Sequence, residues 1–109
     1  MEIRRCDLVI AVFPGDYGKP RPALVVQGDA FSETASVTML PLTSALQEAP
    51  LLRVTVEPRA ENGLERTSQI MVDKAATVTK AKIGRQIGRL DSTTRRAVDR
   101  ALLRFLGLG

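Results

Sequence analysis

The 109-residue chain contains no histidine and no tryptophan, and its one cysteine is Cys6. Without histidine there is no serine or cysteine triad built on imidazole, and no pair of imidazoles sharing acid and base roles. The commonest transition-metal ligand is gone as well. A lone cysteine makes no internal disulfide and cannot build a zinc motif. Any catalysis must therefore run on Arg, Lys, Asp, Glu, Thr, Ser, Tyr or Cys. Aromatic residues are scarce too: Phe13, Tyr17, Phe31 and Phe105 are the full set, so the core has to be aliphatic. No apolar run approaches the roughly 20 residues of a membrane helix. The charged start Met1–Arg5 leads into no apolar stretch of a signal peptide. The expected location is the cytoplasm, away from membranes.

What is present suits a globular protein. Hydrophobic residues make up 44% and charged residues 26%, values that disordered chains do not reach together. The length predicts a single domain over residues 1–109. The net charge is +4. A basic surface attracts polyanions, because pairing its cations with phosphates releases counterions. The charge is also uneven. Between Lys74 and Arg104 many lysines and arginines face only Asp91 and Asp99.

The first two thirds read as strands: Asp7–Phe13, Ala23–Gln27, Ala35–Leu42, Leu52–Glu57 and Ser68–Val72, with short additions at Thr77–Thr79 and Gln86–Leu90. They alternate apolar with polar residues, or run continuously in Val, Ile and Leu, between turn formers. Ser44–Ala49 is a candidate for one helical turn. After Asp91–Ser92, a capping pair, the period changes. Val98, Ala101, Leu102, Phe105 and Leu106 form one helical stripe, and Gly107 and Gly109 close it. Strands followed by one amphipathic helix predict a small antiparallel barrel or twisted sheet with a C-terminal helix.

Three segments could carry chemistry. Phe13–Pro22 holds Tyr17, Lys19 and Arg21 among two glycines and three prolines. The prolines around Arg21 keep its backbone extended; the same residues suit a plain hairpin loop. Leu40–Ser44 ends a strand on two hydroxyls, Thr43 and Ser44. These could hold a phosphate oxygen or cap a helix. Asp73–Lys74 follows the fifth strand and reads equally as a charged turn.

Taken in order, several motifs resemble the MazF/PemK family of toxin endoribonucleases, whose fold is shared by the gyrase poison CcdB. They are Arg5-x-Asp7-Leu8-Val9, the Arg21–Gln27 run R-P-A-L-V-V-Q, and L-P-L-T-S at Leu40–Ser44. G-L-E-R-T-S-Q-I-M-V-D-K at Gly63–Lys74, T-V-T-K-A-K-I at Thr77–Ile83 and I-G-R-L at Ile87–Leu90 complete the set. The resemblance implies a mainly β fold, an SH3-like antiparallel barrel with a C-terminal helix, paired as a homodimer. It implies cleavage of single-stranded RNA without cofactor or metal, leaving a 2′,3′-cyclic phosphate and a 5′-hydroxyl. It also implies an acidic, MazE-like antitoxin as partner. The family's catalytic arginine falls on Arg21 and its catalytic threonine on Thr43, expected in one shared cleft. Phe13, Tyr17, Lys19, Ser44, Asp73 and Lys74 would bind RNA, and residues 16–20 would form a mobile loop. A CcdB-like action on gyrase needs a Trp-containing tail, which this chain lacks. A non-catalytic RNA-binding barrel is the other alternative. Three departures stand out. Cys6 occupies the glycine of the family's R-G-D, a change expected to touch packing alone. Ala76 stands where an arginine is common, and the first loop has no histidine.

Overall fold

A computed structural model describes residues 2–109. Seven strands form an antiparallel sheet: β1 Asp7–Val12, β2 Pro20–Val25, β3 Ser36–Thr43, β4 Arg53–Val56, β5 Ser68–Met71, β6 Ala76–Thr79 and β7 Ile83–Arg89. Helix α1 spans Ser92–Phe105. The strand order is β4-β5-β3-β2-β1-β7, with β6 also paired to β3. This is the mainly β architecture with a C-terminal helix that the residue pattern predicts. Both short additions are strands, and β7 begins three residues before the predicted Gln86.

Apolar residues cover both faces of the central strands, which is why β1 runs Leu-Val-Ile-Ala-Val, β2 ends Ala-Leu-Val and β3 carries Met-Leu-Pro-Leu. On one face Leu8, Leu24, Leu40, Leu42, Ile70 and Val72 pack with Val98 of the helix. On the other, Val9, Ala11, Ala23, Val25 and Met39 pack under Val78 of β6. Burying one such aliphatic side chain stabilises the fold by about 2 kcal/mol.

β5 and β6 lie along the same edge of β3. Ile70 faces Leu42 and Ala76 faces Met39, so six residues of one strand run against three of the other. The surplus is taken up in a tight turn at Val72–Lys74. That turn buries Val72 and pushes Asp73 and Lys74 out of the ladder.

The helix ends follow the predicted chemistry. Asp91 accepts the Thr94 N–H at 2.9 Å, and Thr94 Oγ1 donates to it at 2.6 Å. At the other end Gly107 takes φ +72°, Leu108 N–H donates to Leu103 O and Gly107 N–H to Arg104 O. These two bonds satisfy carbonyls the helix leaves free. The predicted stripe is buried only in part. Val98 is covered and Ala101 and Leu102 are half-buried, but Phe105 and Leu106 overhang the sheet and are exposed.

Two expectations differ from the structure. Ser44–Ala49 forms no helical turn. Thr43 Oγ1 accepts the Ala45 N–H, a bond that competes with helix formation, and Gln69 grips the backbone at Gln47. Cys6 is more than a packing change. Its φ is +76°, and that backbone is pinned by Cys6 N–H to Val25 O at 2.9 Å and Leu90 N–H to Cys6 O at 3.0 Å. A left-handed conformation favours glycine, so this residue carries strain.

Candidate nucleic-acid interface

The ladder between β2 and β3 ends at the pair Ala23–Pro41, and from Leu42 onward β3 pairs with β5. Arg21 and Thr43 each lie two residues beyond that last pair. They therefore stand at the mouth where the two strands part. Pro22, with no N–H, can donate no ladder bond there. Instead of the expected single cleft, Arg21 and Thr43 line two concavities that share no residue.

The first, of about 490 Å³, gathers Arg21 with Phe13, Asp16, Pro41, Asp73, Lys74 and Ala76. Arg21 is half-buried and engaged by the first loop. Its Nη2 donates to Asp16 Oδ1 at 3.2 Å, and its Nε lies 2.8 Å from Asp16 Oδ2 as an ion pair. That second carboxylate oxygen is buried and has no directed hydrogen bond. A phosphate approaching Arg21 thus competes with a carboxylate for the same fork of donors. Asp73 and Lys74 reach this concavity because of the extra residues between β5 and β6, and pair loosely at 3.6 Å. Ala76, with its short side chain, leaves open the space an arginine would fill.

The second concavity, of about 300 Å³, holds Thr43 and Ser44. Its floor is apolar, from Ile10, Pro22, Leu42 and Ile87, and its rim carries Arg66 and Arg85. Both arginines are exposed, and neither has an ion-pair partner among the described residues. No motif in the sequence singles them out. Arg66 sits inside the G-L-E-R-T-S-Q segment and Arg85 next to I-G-R-L, but no spacing shows that β7 and the 57–66 loop meet beside Thr43. They meet because Gly63 allows the loop to approach the Ile87 carbonyl more closely than any Cβ would. Since the Thr43 hydroxyl oxygen already accepts the Ala45 N–H at 3.1 Å, its proton is left to donate elsewhere.

The two aromatic candidates differ. Phe13 is only 6% exposed and packs beneath the sheet, showing an edge to the first concavity. Tyr17 is fully exposed at φ +53°, and with Gly18 and Lys82 it lines a further groove. Lys19 is exposed on the same loop. Among the described residues no three His, Cys, Asp or Glu side chains gather as a metal-ligand set. No helix among them is long and apolar enough to cross a membrane.

A basic antiparallel sheet with a C-terminal helix, and with arginines and hydroxyls at a strand junction, offers the donors and positive charge that suit a phosphate-bearing ligand. Comparison with known proteins gives the family. The family model for the PemK-like, MazF-like toxin of type II toxin-antitoxin systems matches residues 1–106, and the chain belongs to that family. It is 46% identical over 107 residues to the "Probable endoribonuclease MazF" of Mycolicibacterium smegmatis, covering 97% of this chain and 98% of that one. It is 32% identical over 115 residues to the "Endoribonuclease EndoA" of Bacillus subtilis, covering 99% and 97%. It is thus a homologue of the MazF endoribonucleases. Among solved structures, the Mycobacterium tuberculosis toxin MazF-mt6 superposes with a TM-score of 0.77 at 27% identity, over 93% of this chain and 98% of that one. A mycobacterial endoribonuclease solved with its cognate antitoxin shares the fold, with a TM-score of 0.81 at 24% identity over 98% and 97%.

Proposed function

We propose that this protein cuts single-stranded mRNA at short sequences in the cytoplasm, without a metal. The products would carry a 2′,3′-cyclic phosphate and a 5′-hydroxyl. In this reading the RNA's own 2′-oxygen attacks the adjacent phosphorus as its proton leaves. The bond to the 5′-oxygen breaks, and that oxygen takes up a proton. The protein has to align these atoms and stabilise the charge building on the phosphoryl oxygens.

The observation that carries the reading is the register of β2 and β3, which leaves Arg21 and Thr43 each two residues past the same last ladder pair. Arg21 offers a permanent positive charge with forked donors. Thr43 offers a hydroxyl that accepts the Ala45 N–H and keeps its proton to donate. For both to meet one phosphate, the guanidinium has to exchange Asp16 for the substrate. Ser44, Asp73, Lys74 and Lys19 would hold the flanking nucleotides, and Tyr17 would stack on a base. Phe13 would serve as a wall. Single-stranded substrate follows, because a duplex hides base edges and resists the in-line geometry.

The resemblance also supports a homodimer and an acidic antitoxin as the cognate inhibitor; a relative of the same fold has been solved with its cognate antitoxin. The decisive experiment incubates purified protein with a long single-stranded RNA in EDTA and maps the ends. Cyclic phosphate ends are expected from the native protein. Arg21→Ala is expected to abolish cutting, and Thr43→Val to slow it about 100-fold, the loss typical of one oxyanion donor. Full cleavage by Arg21→Ala rejects the assignment.

A further inference from the structure

We infer that Gln69 is a positioning residue for the Thr43 hydroxyl; this rests on the reading of Thr43 given above. Gln69 is Thr43's direct partner across the β3–β5 ladder. It is a polar side chain buried to 7% exposure in a strand whose neighbours, Ile70 and Met71, are apolar. Burying an amide costs free energy unless its donors and acceptors are matched. Here they are matched, and the partners lie on the segment after Thr43. Gln69 Oε1 accepts the Gln47 N–H at 3.0 Å, and Nε2 donates to the Gln47 carbonyl at 3.1 Å. The side-chain amide thus grips both backbone groups of one residue, as a neighbouring strand would. Nε2 also reaches Thr55 Oγ1 at 3.3 Å.

A second residue extends the grip. Arg53 Nη1 donates to Gln69 Oε1 at 3.1 Å and to the Ala45 carbonyl at 3.2 Å. Ala45 is the residue whose N–H holds Thr43 Oγ1. The chain of contacts therefore runs from Gln69 through Gln47, and through Arg53 and Ala45, to the hydroxyl. Residues 44–49 have no helix or strand of their own to define their path. Without the amide, nothing else in that network holds Gln47. The Ala45 N–H would wander, and the Thr43 proton would lose its direction. Neither Gln69 nor Arg53 lines Thr43's concavity; with Gln47 and Thr55 they border a separate hollow of about 220 Å³. Their effect is on alignment, which enters the rate of the chemical step more than substrate affinity.

The test uses the full chain and a single-stranded RNA oligonucleotide, with kcat and KM measured separately and folding checked by circular dichroism. Gln69→Leu is expected to lower kcat about 100-fold, the usual cost of an ångström-scale misplacement, with KM changed by less than about twofold. Gln69→Glu keeps the acceptor for Gln47 and Arg53 but loses the donor, so its kcat is expected between the two. Thr43→Val added to Gln69→Leu should cost little more, whereas Arg21→Ala should still exert its full effect. Wild-type kcat in Gln69→Leu, or full additivity with Thr43→Val, overturns the inference. If Gln69→Leu fails to fold, Gln69→Glu decides: a folded variant with wild-type kcat overturns it, and a lowered kcat that is non-additive with Thr43→Val supports it. If Thr43→Val alone cuts normally, the role of Thr43 fails and this inference with it. If Thr43→Val is inactive while the Gln69 variants keep their kcat, only the inference fails.

Discussion

Cys6 occupies a backbone position that an L-residue resists. A left-handed φ costs about 1–2 kcal/mol for a residue with a Cβ. Hydrogen bonds to Val25 and Leu90 on either side hold it there, and its side chain is buried with Leu8 and Leu90. Cys6→Gly and Cys6→Ala both give up the buried sulfur, but only glycine releases the strain. The glycine variant is therefore expected to be more stable than the alanine variant by about 1 kcal/mol. Urea midpoints measure this; an alanine variant equal to or above the glycine variant would show that φ is not strained. The same position was legible in the sequence as a departure from R-G-D, but its cause was not. A dihedral angle is imposed by the strands on either side, and no residue type announces it. Arg21 is a parallel case. Its prolines predict extended backbone, and it does lie in β2. Its engagement by Asp16 depends on how the loop folds back.

Among the elements, the C-terminal helix was the most readable. Period, N-cap and glycine stop all point the same way, and the helix spans Ser92–Phe105. Hydrogen bonds from the Thr94 side chain and backbone hold the Asp91 carboxyl below its ordinary range. A carboxylate whose folded pKa is depressed stabilises the fold above its unfolded pKa, near 3.9, and that contribution fades as pH falls through the lowered folded value. Asp91→Ala is expected to cost about 1 kcal/mol at pH 7. The difference between native and variant should shrink below about pH 4. Thermal melts at pH 7 and pH 3 test both; a gap that persists undiminished at pH 3 would separate the cap from its charge. Ser44–Ala49 shows the opposite outcome. Good local capping residues were overridden by Gln69, a contact 22 residues away in sequence, which no local pattern carries.

At the scale of the molecule, the basic charge becomes a property of one region. Arg21, Lys74, Arg66 and Arg85 border the two concavities at the strand junction. If each meets one phosphate, the slope of log binding constant against log salt for single-stranded RNA is about −3. Binding should then weaken about 50-fold between 50 and 200 mM salt. Fluorescence anisotropy on a 2′-O-methylated single strand, which lacks the attacking hydroxyl, measures the native slope, and Arg21→Ala is expected to make it shallower by about 0.7. A slope near zero in the native protein would rule out phosphate contacts as the source of affinity.

Alternation, capping residues and turn formers determined the strands, the helix and the aliphatic core, because those signals act over a few residues. The absence of histidine bounded the chemistry in the same local way. The tertiary structure decided what lies beside what. It split the expected cleft in two, placed Arg66 and Arg85 next to Thr43, and set Gln69 across the ladder from it. Such neighbours come from strand register and loop approach, which link residues too far apart in the chain for any short motif to record.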